Sequence, residues 1–198
     1  MELTKEKSRH HHGNLQAALV EAGISIIRAD GLEALSLRKC AAMAGVSHAA
    51  PAHHFGNLDG LKQAIAQEAF ARFTQFMRSH ADAGDDTPRA RLHGICLGYL
   101  AFARAEPALY AMIFCYTPNT PPADKGPNDI ARDRTRGPAY QLLRETCAPF
   151  VPAGTDPVVI ETQVWSLVHG FALLCQHGRL GPEPPSDETV LAMLDRIG

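Results

Sequence analysis

The chain has no H-E-x-x-H, no G-x-S-x-G and no P-loop pattern, and no Glu-x-x-His pair of the kind that builds a di-metal carboxylate centre in a helical bundle. No catalytic set is visible, so the expectation is a protein that is not an enzyme and needs no cofactor or metal. Strict alternation of apolar and polar residues is also missing, which excludes half-buried strands and leaves helical spacing throughout. Five cysteines, Cys40, Cys96, Cys115, Cys147 and Cys175, are odd in number and lack a C-x-x-C partner. That argues against a disulfide framework and favours small core residues over redox sensors. No apolar run of about 18 residues stands out. The polar start MELTKEKSRHHHGN has no apolar h-region, so a cytoplasmic protein without a membrane partner is expected.

What is present is a chain of 198 residues, 45% hydrophobic, with room for a small N-terminal domain and a larger helical one. The net charge of −2 hides an asymmetry, because the basic excess and seven of the ten histidines fall in residues 1–80. That excess is small, so any electrostatic footprint must come from placement of Lys5, Lys7, Arg9, Arg38, Lys39 and Lys62 rather than from bulk charge.

Residues 31–61, GLEALSLRKCAAMAGVSHAAPAHHFGNLDGL, read as two short helices joined by a glycine turn. Gly31 supplies the left-handed backbone that ends a long preceding helix. Ser36 is placed to cap the next one, although Lys39 stands where a Glu or Gln would complete a capping box. Ala41 is small enough for two helices to cross closely, Gly45 can take the positive φ of the turn, and Val46 can bury between them. Ser47 is expected to cap a third helix from His48 to about His54, pinned at its far end by Phe55. Pro51 would be the fourth helical position and would remove one backbone bond, so a tighter or bent start is expected. This is the shape of a helix-turn-helix, whose second helix enters a DNA groove.

Read through Gly31, Ser36, Leu37, Arg38, Ala41, Ala44-Gly45-Val46-Ser47, Ala50, His54-Phe55, Asn57 and Leu61, the segment resembles the DNA-binding motif of TetR family transcriptional regulators without a gap. HHGNLQAALVEAGISII upstream is similar to the family's first helix. VWSLVHG at 164–170 is similar to the Trp-His-Gly element of one class of its C-terminal domains. The resemblance implies an all-α fold of about nine helices, with an N-terminal three-helix bundle over 1–57 and a helical effector-binding and dimerisation domain over 58–198. It implies a homodimeric regulator of double-stranded operator DNA, taken here as a repressor of a near-palindromic site released by a small, partly apolar effector. Its DNA-binding residues would be Ser36, Arg38, Lys39, Ser47, His48, Ala49, Ala50, His53, His54, Asn57 and Lys62. Of these, Arg38, Lys39 and Lys62 would position the helices on phosphates, while His48, Ala49, Ala50 and His53 would approach base edges. The family usually carries a Tyr at Ala52 and a Lys at Leu58, both of which commonly touch phosphates. Losing them predicts weaker or more salt-sensitive binding, offset to some degree by His48, His53 and His54, since imidazole gains charge near pH 6 to 7.

Further along, Leu15, Ala18, Leu19, Ala22 and Ile26 form the stripe of the first helix, and Leu61, Ile65, Ala69, Phe73, Phe76 and Met77 that of a long fourth one. A helix from about Pro88 to Ala105 follows, then a short one opened by Pro107, a loop over 117–128, and a helix from about Asp129 to Phe150 interrupted at Gly137-Pro138. Residues 158–175, VVIETQVWSLVHGFALLC, are apolar on nearly all sides and need cover. With the last helix they would form a four-helix dimer interface using Val164, Leu167, Val168, Phe171, Leu174, Leu191 and Leu194. The family's effector pocket would involve Phe73, Met77, Tyr99, Phe102, Tyr110, Phe114, Trp165 and His169, although the same aromatics serve as plain core in a protein without a pocket.

Each feature has a plainer reading. His10-His11-His12 cannot all face one ion and read better as a solvated arm than a metal site. His54 reads as a packing or capping residue and His53 as the DNA-facing one. Trp165 and His169 share a helical face and suit core or dimer packing as well as a ligand; Arg104 could pair an anionic effector or only Glu106 and solvent. The alternative function is a helical dimer whose DNA motif has decayed and which acts through ligand or protein contacts.

Overall fold

The computed structural model describes residues 3–115 and 137–197, with side chains from Leu15 to Phe114 and from Gly137 to Ile197, so that of Cys115 is not among them. The histidine triplet and the 117–128 segment therefore lie outside the described side chains, as does the stretch from Asp129 to Arg136. Among the described residues there are nine α-helices and no strands. They are α1 (Leu3–Asp30), α2 (Leu37–Met43), α3 (Ala50–Phe55), α4 (Leu58–Asp82), α5 (Pro88–Ala105), α6 (Pro107–Cys115), α7 (Pro138–Cys147), α8 (Pro157–Gln176) and α9 (Asp187–Leu194). Short 3-10 turns follow α1 (Leu32–Ala34) and α7 (Ala148–Phe150).

Most boundaries have a visible chemical cause. Pro88, Pro107, Pro138 and Pro157 each open a helix, where a missing N–H has no intrahelical partner to lose. Thr87 and Asp156 accept hydrogen bonds from the N–H groups of Ala90 and Val158. Gly31 (φ 83°) ends α1, its N–H donating to Ile27 O at 3.0 Å.

The chain forms two compact units. The first holds the described residues up to Ala69 and those from Ala108 to Cys115. Its core joins Leu19, Ile24 and Ile27 of α1 to Leu35, Cys40, Ala41, Leu61 and Ile65, all 4% exposed or less. The buried stripe of α1 is wider than expected, taking in Val20, Gly23 and Ile24, while Ala18 is exposed. A Cβ on Gly23 would collide with Ile65, so that glycine admits a neighbour's side chain.

The second unit, Phe70–Pro107 with the described residues from Gly137 onward, is organised around α5. Leu92, Ile95, Cys96, Tyr99, Leu100, Phe102 and Ala103 of α5 are all buried, and the helix packs on α7, α8 and α9. Gly94 and Gly98 face the end of α4, where an added Cβ would meet the backbone of His80 and Ala81 or of Phe76 and Met77. The two helices therefore touch through their main chains. α9 is tied to α5 at both ends. Arg89 donates to Leu194 O at 2.8 Å and Ile197 O at 2.9 Å, and Arg104 pairs with both oxygens of Asp187 at 2.7 Å.

These contacts correct the expected dimer surface. Val164, Val168, Phe171 and Leu194 are buried inside the protomer, because α5, α7 and α9 of the same chain supply the cover assigned to a second copy. Of the expected interface residues only Leu167, Leu174 and Leu191 keep exposed area. By length and mean hydropathy α8 could cross a membrane, contrary to the expectation of no such run; here it packs against three helices and buries Glu161 on its inner face. The helix expected over 129–150 also ends early, at Cys147, with the last three residues in the 3-10 turn.

Gly98→Ala tests the crossing. It gains about 1 kcal/mol of helix propensity but forces the α4 and α5 backbones apart, an overpacking cost of about 1–3 kcal/mol or more. The thermal unfolding midpoint should fall, and a rise would contradict the close approach.

Candidate functional site

The geometry of α2 and α3 is set mainly by main chain. The Lys39 N–H donates to Ser36 Oγ at 3.2 Å, so Ser36 caps α2 as expected. After Met43 the chain turns through Gly45 at φ 67°, and the Val46 N–H donates back to Ala41 O at 3.0 Å. Cys40 and Ala41 are fully buried beneath this turn, while Val46 is half-buried.

The start of α3 differs from expectation. The helix covers Ala50–Phe55 and not His48–His54, its N-cap is Ala49, and Ser47 makes no side-chain cap. Pro51 explains the shift. Its ring fits without loss only in a first turn, and starting at Ala50 makes it the second helical residue. His48 and Ala49 then fall in the preceding turn, closed by the Ala50 N–H donating to Ser47 O at 3.0 Å. This is the tight entry anticipated for a proline near the cap. The far end stops at Gly56, φ 74°.

Ser47, His48, Ala49, Ala52 and His53 are exposed; Ala50, His54 and Phe55 are half-buried. The rings of His53 and His54 meet edge-on at 5.6 Å, and that of His54 lies 6.3 Å from Phe55, in keeping with a packing role for His54. Arg38 and Lys39 are exposed on α2, Lys39 lying 4.0 Å from Asp30 of α1. Asn57, expected on the DNA side, is exposed and also caps α4, its Oδ1 accepting the Gly60 N–H at 2.9 Å. Lys62 is half-buried one turn further on.

The candidate effector residues separate into three groups. Phe73, Tyr99 and Phe102 pack ring to ring, Phe73 lying 5.0 Å from Tyr99 and 5.3 Å from Phe102, with Met77 buried on the same helix as Phe73. His169 joins them through a 2.6 Å hydrogen bond between its Nδ1 and the Tyr99 hydroxyl. Burial pushes the His169 imidazole below its usual range, so the neutral ring is favoured and can accept the phenolic proton. Trp165 turns elsewhere, its ring 6.0 Å from that of Tyr140. Tyr110 and Phe114 meet at a tilt, ring centroids 4.8 Å apart, in the first unit. Arg104 pairs with Asp187, which neither of its expected partners anticipated.

Against known proteins, the family model described as "Tetracyclin repressor-like, C-terminal domain" matches residues 92–197. The chain belongs to that family. It is 31% identical over 80 residues to the HTH-type transcriptional regulator BetI of Burkholderia thailandensis, a match spanning 40% of this chain and 41% of that protein. Among solved structures, a protein of unknown function from Rhodococcus sp. RHA1 superposes with a TM-score of 0.74 at 28% identity, covering 91% of this chain and 92% of that one. A TetR family transcription regulator from Marinobacter aquaeolei VT8 does so with a TM-score of 0.64 at 18% identity, covering 94% and 95%. The multidrug binding protein EbrR, solved with imidazole, gives 0.58 at 22%, covering 92% and 89%. The last two speak to the fold alone.

Within this TetR-like C-terminal region the structure places a polar site that the residue patterns had not singled out. Glu161 of α8 is 3% exposed, accepts a hydrogen bond from the Tyr140 hydroxyl at 2.6 Å, and lies 3.4 Å from Arg144 Nε. Burial, with the hydrogen bond to Glu161, pushes the Tyr140 phenol up to about 12. Burial also raises the Cys147 thiol to about 12, with the Glu161 charge adding to it, so this cysteine stays protonated. The same direction holds for Cys40, Cys96 and Cys175; Cys40, Cys96 and Cys147 are buried, in line with the core reading, while Cys175 is half-buried. The missed signal was a lone acid inside an apolar helix, which must find a partner when buried.

Tyr140→Phe leaves one oxygen of a buried carboxylate without its donor and should cost about 1–3 kcal/mol in chemical denaturation. An unchanged midpoint would mean that Glu161 does not depend on this bond.

Proposed function

We propose that this TetR family chain is a DNA-binding transcriptional repressor, acting as a homodimer on a near-palindromic operator and released by a small, partly apolar effector. The observation that carries the reading is the exposed outer face of α3, held by a turn whose geometry is fixed by Gly45 and by buried Cys40 and Ala41. In this reading residues 1–57 make the DNA contacts, 58–198 bind effector and partner, and the protein works in the cytoplasm. Arg38 and Lys39 are exposed beside α3 and suit phosphate contacts. Ala49 offers a methyl group to thymine.

Support for a dimer comes from the outer face of α8. Val159, Gln163, Ser166, Gly170 and Leu174 recur at helical spacing, four of them exposed, and nothing lies within 4 Å of a Cβ built on Gly170. Such a face admits a second helix closely, and Leu191 and Met193 of α9 retain exposed area next to it in the bundle. A two-fold axis there would present two copies of α3 to half-sites about 34 Å apart or a multiple of that. For the effector, the Phe73–Tyr99–Phe102–His169 cluster offers an apolar wall and one polar pair. EbrR, of similar fold, is described as a multidrug binding protein, which is consistent with an apolar small molecule here.

Fluorescence-anisotropy titration against duplexes selected from a random pool, with light scattering of the free protein, tests this. A sequence-preferring dimer should bind with affinity falling steeply between about 50 and 200 mM salt. Ala52→Tyr and Leu58→Lys, which restore phosphate contacts, should each tighten binding. No DNA binding at low salt would favour a decayed motif, and a monomer at micromolar concentration would overturn the dimer.

A further inference from the structure

Residues 40–58, running from α2 through α3 into α4, contain no Asp, Glu, Lys or Arg. Their titratable groups are Cys40, whose thiol burial pushes up and keeps neutral, and three histidines. The surface that the DNA-binding reading lays against a polyanion therefore carries no permanent charge of its own. Within 47–53 the exposed side chains able to donate a hydrogen bond are Ser47, His48 and His53, since Ala49 and Ala52 have none to give. His54 is half-buried against its neighbours.

Resting on the DNA-binding reading above, we propose that His48 and His53, as imidazolium ions, are the phosphate contacts made by α3 and the turn before it, beside those of Arg38 and Lys39 on α2, so that DNA affinity depends on pH. A phosphate beside an imidazole favours its charged form, so binding takes up protons and tightens as pH falls through the range where imidazole titrates. The described charged side chains on the elements packed against α3 are Glu21, Arg28 and Asp30 of α1 and Arg38 and Lys39 of α2, with Asp59 and Lys62 opening α4. In the complex the phosphates place negative charge beside each imidazole, and the difference between the bound and free states is what couples pH to binding.

The size follows from linkage. An upward change of one pKa unit on binding is worth a factor of about ten, so two contacts should raise affinity about tenfold or more between about pH 8 and pH 6. Each protonated histidine on a phosphate also releases a counterion, steepening the salt slope by about 0.9. A histidine that merely packs, or that reads a base edge as a neutral donor, would not move the salt slope.

The test is anisotropy with duplexes selected by this protein from a random pool, titrated across salt near pH 6 and near pH 8. The wild type should bind more tightly and with a steeper slope in acid. His48→Ala/His53→Ala should lose both differences, and His48→Arg/His53→Arg should bind tightly at either pH. If DNA is bound equally at both pH values, or if the pH difference survives in the alanine pair, the histidine assignment is overturned while the regulator reading stands. If no duplex is bound at either pH in low salt, both are overturned.

Discussion

The placement of α3 depends on one small contact, the burial of Cys40 and Ala41 beneath the turn that leaves α2. Because neither residue projects far, α2 sits low in the first unit, and the Ala41 carbonyl is where the Val46 N–H must reach. Gly45 closes that loop in a conformation costly to other residues. The direction of α3 is thereby fixed by backbone, leaving its outer side chains free of structural duty. That freedom permits the exposed Ala49, Ala52, His48 and His53 on and beside it. A larger residue at Ala41 would lift α2 and re-aim every side chain beyond it.

The second unit is built on a different constraint. α5 is enclosed nearly all round, crosses α4 at main-chain distance through Gly94 and Gly98, and grips both ends of α9 with Arg89 and Arg104. With α9 held this way, the inner face of α8 is already filled from within the protomer, and Glu161 is anchored to α7 by Tyr140 and Arg144. The outer face of α8 keeps exposed area. The aromatic cluster around Phe73 and Phe102 is closely packed ring to ring.

Much of this was legible in the chain. Pro88, Pro107 and Gly31 each act through local sterics, so the sequence carries them directly, while Pro138 was read as an interruption of a helix that it opens. The cap of α2 was legible because it rests on a single local hydrogen bond. The start of α3 was not, because Ser47 and Pro51 give competing instructions and the proline wins. The inward side of α8 was hard to read since a helix apolar on nearly all sides has little phase in its pattern; Glu161 is buried on that side, and its partners lie on another helix. The roles of Arg89, Arg104 and Asn57 depend on contacts that no spacing rule states.

The most direct measurement is site-specific photo-crosslinking of the full-length protein bound to duplex DNA, with a photoreactive amino acid in place of Ala52 on α3 and, separately, of Val158 on α8. The account predicts crosslinks from position 52 to bases of both half-sites and none from position 158. Crosslinks to DNA from 158 but not 52 would contradict it.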